Sequence, residues 1–118
     1  RTMSLPNAMT PEDCRLVATV TRAFHCANKI GVDETFVFDH KGRLLAEHSS
    51  ANLCLGMICK LQPALMMAQD RLAEGLHPVG NFAHFDCFDT GIDHGGTGKV
   101  YVEMTLVDAR TGQEVSKP

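Results

Sequence analysis

Apolar residues recur along the chain at spacings that predict a mixture of helices and strands. Leu16, Val20, Phe24 and Ala27 fall three or four positions apart, with Val17 and Ala23 widening the stripe, as on one face of a helix. Thr10-Pro11-Glu12-Asp13 stands in front of them with start signals. The threonine can accept the Asp13 amide, the proline suits the first helical position, and the acids complement the positive end of the helix dipole. Gly31 is a natural stop. The pattern therefore predicts a first helix over residues 10–30, with residues 1–9 as a loose lead-in.

Two short apolar runs follow, Thr35-Phe36-Val37-Phe38 and Leu44-Leu45-Ala46, separated by Asp39-His40-Lys41-Gly42. This is the pattern of a β-hairpin, with Gly42 supplying a positive φ. In residues 50–75 the apolar positions Cys54, Ile58, Leu61, Leu65, Ala68 and Leu72 predict a helix over residues 52–74 that Gly75 ends. Pro63 opposes it, since proline removes an amide from the helix interior. The alternation of Leu53, Leu55, Met57, Cys59 and Leu61 keeps open a strand followed by a helix that starts at Pro63. A strand over residues 81–88 and a glycine-rich loop come next. In the following strand, 99–107, Val100, Val102, Met104 and Leu106 point one way and Tyr101, Glu103 and Thr105 the other. Asp108-Ala109-Arg110-Thr111-Gly112 is a second turn, and residues 113–115 can pair back. The predicted order is α-β-β-α-β-β(-β): a single α+β domain over residues 10–118, with two helices on an antiparallel sheet.

Composition narrows the function without naming it. The 118 residues suffice for one domain, and 44% hydrophobic with 21% charged is the balance of a chain with a real core. No run of about eighteen apolar residues exists, so no membrane span is expected, and no N-terminal series reads as a secretion signal. A net charge of -3 with no basic block argues against nucleic acid as a partner. The five cysteines (Cys14, Cys26, Cys54, Cys59 and Cys87) are irregularly spaced with no C-x-x-C. They read as free thiols in a reducing cytoplasm.

The stretch His84-Phe85-Asp86-Cys87-Phe88-Asp89-Thr90-Gly91-Ile92-Asp93-His94-Gly95-Gly96-Thr97-Gly98-Lys99 carries the densest chemistry. A phosphate loop fails there. The first glycine of the motif would fall at Asp93, Val100 offers no hydroxyl, and a strand rather than a helix follows. The glycines then read as a flexible hairpin connection. On a strand, Phe82, His84, Asp86 and Phe88 share one face, and Ala83, Phe85 and Cys87 the other. His84 and Asp86 with Asp93 or His94 are a candidate set for a divalent metal with an open position. His25-Cys26 diverge as sequence neighbours, Cys54 and Cys59 do not share a helix face well, and Ser49-Ser50 beside His48 has no orienting acid but Glu47. Met57, Met66 and Met67 read as core or interface filling.

The element order, with Thr35-Phe36-Val37-Phe38-Asp39-His40-Lys41-Gly42-Arg43-Leu44-Leu45-Ala46 and the helix that holds Leu61, Leu65 and Leu72, resembles roadblock-type (dynein light-chain) domains over roughly residues 10–107. The resemblance implies a small cytoplasmic scaffold without a cofactor, acting as a homodimer or as a subunit of a larger complex. Contacts are then expected at Leu61, Leu65, Met66 and Leu72. A small metal-dependent or acid/base enzyme on His84, Asp86, Asp93 and His94 is a second expectation. A third is a sensor that holds a small ligand between sheet and helix, which requires an interior cavity.

Overall fold

In the computed structural model of the protein, which describes residues 4–6, 9–79 and 83–116, the first long element is a strand and not a helix. The start signals at Thr10 are real but serve one 3-10 turn, Pro11–Asp13, in which the Asp13 carboxylate accepts from the Thr10 amide at 2.9 Å. Strand β1, Cys14–Phe24, then runs through the predicted helix. The reason is a coincidence of periods. Leu16, Val20 and Phe24 are four apart, which satisfies a period of two as well as one of 3.6. Cys14 and Ala18 fill the other even positions up to Val20 and are buried, while Val17, Thr19 and Thr21 supply the β-branched residues that suit a strand.

Strand β2 is Thr35–Asp39 and begins where the first apolar run predicts it. Its turn is built by Asp39, whose Oδ1 accepts the amides of Lys41 and Arg43 at 2.9 Å, and Gly42 takes φ 76°. Burial pushes the Asp39 pKa up, but these amides and the Arg43 guanidinium hold it below the ordinary carboxylate range. The return run is not a full strand. It shrinks to a bridge between Phe38 and Leu44 and a 3-10 turn, Ala46–His48. The hydroxyls of Ser49 and Ser50 accept the Val37 and Thr35 amides at 2.9 Å, which closes the edge of β2.

Helix α1, Leu55–Ala73, is unbroken, so the helical alternative for residues 52–74 holds. Pro63 lies on the exposed side, and the carbonyl of Cys59 that it deprives of a donor belongs to an exposed residue. Gly75, at φ 74°, ends the helix as expected: its amide donates to Leu72 O and that of Leu76 to Arg71 O, both at 3.0 Å. Met57, Leu61, Leu65, Ala68 and Leu72 form the buried stripe.

Strand β3 is short, His84–Asp86, and β4 is Lys99–Asp108. Part of the expected 81–88 strand, including Phe82, lies outside the described residues. The sheet is antiparallel in the order β2-β1-β4-β3. Val100, Val102, Met104 and Leu106 are buried, in the alternation expected of β4, and join Leu16, Val20, Phe36, Phe38 and the α1 stripe in one core. Past β4, Gly112 takes φ 74° and Val107 bridges Glu114. Among the described residues the fold is thus α+β with one α-helix. Its described order is β-β-α-β-β in place of the predicted α-β-β-α-β-β(-β).

Candidate functional site

Three connections meet at one end of the helix: residues 25–34 after β1, the first turn of α1, and residues 87–98 between β3 and β4. They surround a half-open cavity of about 410 Å³ whose lining includes Cys26, Ile30, Cys54, Met57, Phe88 and Val100. The volume falls in the usual range for small-molecule sites. Cys87, the third thiol of the lining, is buried, and its Sγ accepts the Val100 amide at 3.3 Å. Phe88 is 78% exposed at the rim, a high value for so large an apolar ring.

The connection after β1 is bent into this shape. His25, Lys29 and Asp33 all take positive φ, at 53°, 57° and 72°, where side chains other than glycine's are disfavoured. The register of β1 against β4 shifts between Val20 and Arg22, a bulge that changes the course of the strand just before the cavity.

The glycine-rich loop is held by Asp89 and is no loose connection. Its Oδ1 accepts the Gly91 amide at 2.8 Å, and its Oδ2 accepts the Thr97 amide and hydroxyl at 3.1 and 2.8 Å. Two glycines are required by space alone. A Cβ at Gly96 would lie 1.9 Å from Asp89 Oδ1, and one at Gly98 would lie 2.4 Å from the His25 carbonyl oxygen. Lys99 fastens the base of the loop. Its ammonium donates to Cys87 O at 3.0 Å and to Asp89 O, and it pairs with Asp86 at 3.2 Å.

The backbone amide of Gly91, then the Thr97 hydroxyl, pull the Asp89 pKa from 3.8 down to about 2. A depressed folded-state pKa means that the ionised carboxylate stabilises the loop. That contribution is complete above about pH 4 and is lost as the pH falls towards 2. In an NMR titration from pH 6 to 2, the amide signals of Gly91 and Thr97 are expected to hold their positions to about pH 3 and then shift together. In an Asp89→Asn variant that acid transition is expected to be absent.

The four expected metal ligands fall into two pairs. His84 is exposed on β3 and sits 3.8 Å from Glu103. Asp86 is held by Lys99 at 3.2 Å and Lys60 at 3.6 Å. Burial raises its pKa, but the two lysines bring it below the ordinary value. Asp93 and His94 sit on a 3-10 turn, Ile92–His94, beside a groove of about 550 Å³ that also touches Arg22, Phe24, His25 and Tyr101. The Arg22 guanidinium lies 5.0 Å from the Phe24 ring and 5.3 Å from that of Tyr101. Among the described residues no three His, Cys, Asp or Glu side chains gather at metal-binding distance. Ala83 and Cys87 are buried and His84 and Phe88 exposed, although β3 itself covers only His84–Asp86.

The expected interface residues also divide. Leu61, Leu65 and Leu72 are buried in the chain's own core, because the stripe that makes α1 amphipathic is the one the sheet covers. Met66 is 63% exposed and stands on the outer face of the helix with Leu55. Sequence reasoning missed His77, which is buried: its Nδ1 accepts the Val79 amide at 3.2 Å and its Nε2 donates to Val115 O at 3.0 Å. No spacing signals it, because its partner lies 38 residues away. It missed the cavity for the same reason: the lining cysteines come from three separate connections.

No family model, curated protein or solved structure is significantly similar to the chain.

Proposed function

We propose that the protein is a small-ligand-binding domain, with the ligand held between the first turn of α1 and the loop that joins β3 to β4. The cavity of about 410 Å³ carries this reading. Two further features support it. The loop beside it is shaped by glycines that tolerate no side chain, and the connection opposite holds three non-glycine residues at positive φ. Backbone held in disfavoured conformations is more common at binding sites than elsewhere.

The cysteines provide the test. Cys26 and Cys54 line the cavity and are half-buried, while Cys59 is exposed on α1 away from it. The protein is alkylated with N-ethylmaleimide, with and without 1-octanol, and each cysteine is followed by peptide mass spectrometry. At tenfold excess over the dissociation constant, modification of Cys26 and Cys54 is expected to slow by about tenfold while that of Cys59 is unchanged, since only free protein reacts. Equal rates at Cys26 and Cys54 with and without the alcohol would overturn the reading.

A second reading, association through α1, has one observation in its favour. Leu55 and Met66 are 73% and 63% exposed on the same outer helix face, apart from the core stripe.

A further inference from the structure

The geometry points to an uncharged, largely apolar ligand with a hydroxyl or carbonyl group at one end, and excludes carboxylates and phosphates from the cavity. This rests on the ligand-binding reading and deepens it by naming the chemical class.

Two of the lining residues are ionic, Asp89 and Lys99. Both oxygens of Asp89 are occupied, by the Gly91 amide and by the amide and hydroxyl of Thr97. A lysine that served an anionic ligand would have N–H groups to give. An ammonium has three, and Lys99 directs its own to Cys87 O, Asp89 O and the Asp86 carboxylate. The Lys99 charge is thus spent on the base of the loop, and Asp89, the other ionic group of the lining, is itself an anion. An anionic ligand that brought its charge into the apolar cavity would find no cation free and the Asp89 carboxylate beside it, and desolvating an ion without a partner is strongly unfavourable.

What remains is soft and neutral. Cys26, Cys54 and Cys87 present thiols, which behave as small polarisable hydrophobes, and Ile30, Met57 and Val100 present hydrocarbon. Thr90 and Thr97 are already engaged, with His94 O and Asp89. At the exposed rim the side-chain amide of Asn28 has no partner among the described residues and offers both a donor and an acceptor. A single hydroxyl or carbonyl at one end of the ligand matches it.

The experiment compares 1-octanol with octanoate at pH 8, two probes that share a chain and differ in charge. Amide shifts of the 15N-labelled full chain report binding at Met57, Cys87 and Val100. The expected result is saturable binding of 1-octanol, with octanoate at least tenfold weaker. Octanoate binding as tightly as the alcohol would overturn the inference on charge and leave the cavity reading standing. Neither probe moving these amides would overturn both. A Gly56→Leu variant guards against binding elsewhere. A Cβ at Gly56 lies 3.5 Å from Phe88 Cβ and 3.8 Å from Cys54 Sγ, an ordinary contact distance, so the added side chain fills the cavity mouth. The change also replaces glycine with a better helix former, which favours a folded product. Octanol affinity is expected to fall at least tenfold in this variant, and unchanged affinity would place the probe outside the cavity and overturn the inference.

Discussion

A Gly98→Ala variant is expected to unfold roughly 10 °C below the parent protein, a loss of about 3 kcal/mol. The added methyl would stand 2.4 Å from the His25 carbonyl oxygen and 2.5 Å from that of Phe24. Both obstacles are backbone. No side chain can swing away, so the start of β4 and the end of β1 must separate where they form the cavity wall. Nothing else about the position resists alanine, since its φ lies in an ordinary region. Gly31→Ala is the matched control, with the nearest foreign atom 3.7 Å away, and it is expected to unfold within a few degrees of the parent. Thermal unfolding followed by circular dichroism decides it. A Gly98→Ala midpoint equal to that of Gly31→Ala would mean that the close approach is absent in solution.

The second large effect lies in the core. Leu61→Ala is expected to cost about 2–5 kcal/mol, because the leucine is fully buried between α1 and the sheet and its loss leaves a void. Met66→Ala, five positions on and 63% exposed, is expected to change stability by no more than about 0.5 kcal/mol. Urea unfolding of the two variants separates them. If instead Met66→Ala matched Leu61→Ala, the helix would be rotated from the orientation described. Sedimentation of the same Met66→Ala sample tests the association reading, which requires a shift from dimer to monomer in that variant.

The places where the sequence misleads are instructive. A spacing of four is shared by the helix and strand patterns, so Leu16, Val20 and Phe24 fit either, and the helix-start signals before them tip the balance wrongly. The buried Cys14 and Ala18 are the discriminating residues, since they fit a period of two and lie off the helical stripe. Where the apolar residues are strictly alternate, as in Val100, Val102, Met104 and Leu106, one period is excluded and the strand is legible. Helix α1 is legible as well, since its stripe extends over five turns and Gly75 closes it. The expected interface residues divide on a different point: a stripe of leucines identifies a buried face without telling whether sheet or partner buries it. The cavity was beyond sequence reasoning altogether. Cys26, Cys54 and Cys87 are far apart in the chain, and only the sheet topology, by pairing β1 with β4, brings their connections together. The glycines at 96 and 98 were visible, but a glycine required by close packing looks the same in a sequence as one that loosens a loop.

That pairing of β1 with β4 also governs how the protein reaches its native state. The two central strands come from opposite ends of the described chain: Cys14 is opposite Asp108, and the Thr105 hydroxyl meets the Val17 carbonyl across 88 residues. Their ladder forms only after the whole intervening chain has been ordered or looped out, and such non-local closure makes folding slow. During synthesis β1 has only the β2 hairpin for company until β4 is made, so its inner edge waits with unpaired amides and carbonyls. The short, side-chain-capped β2 edge, closed by Ser49 and Ser50, leaves the nascent hairpin one open edge instead of two.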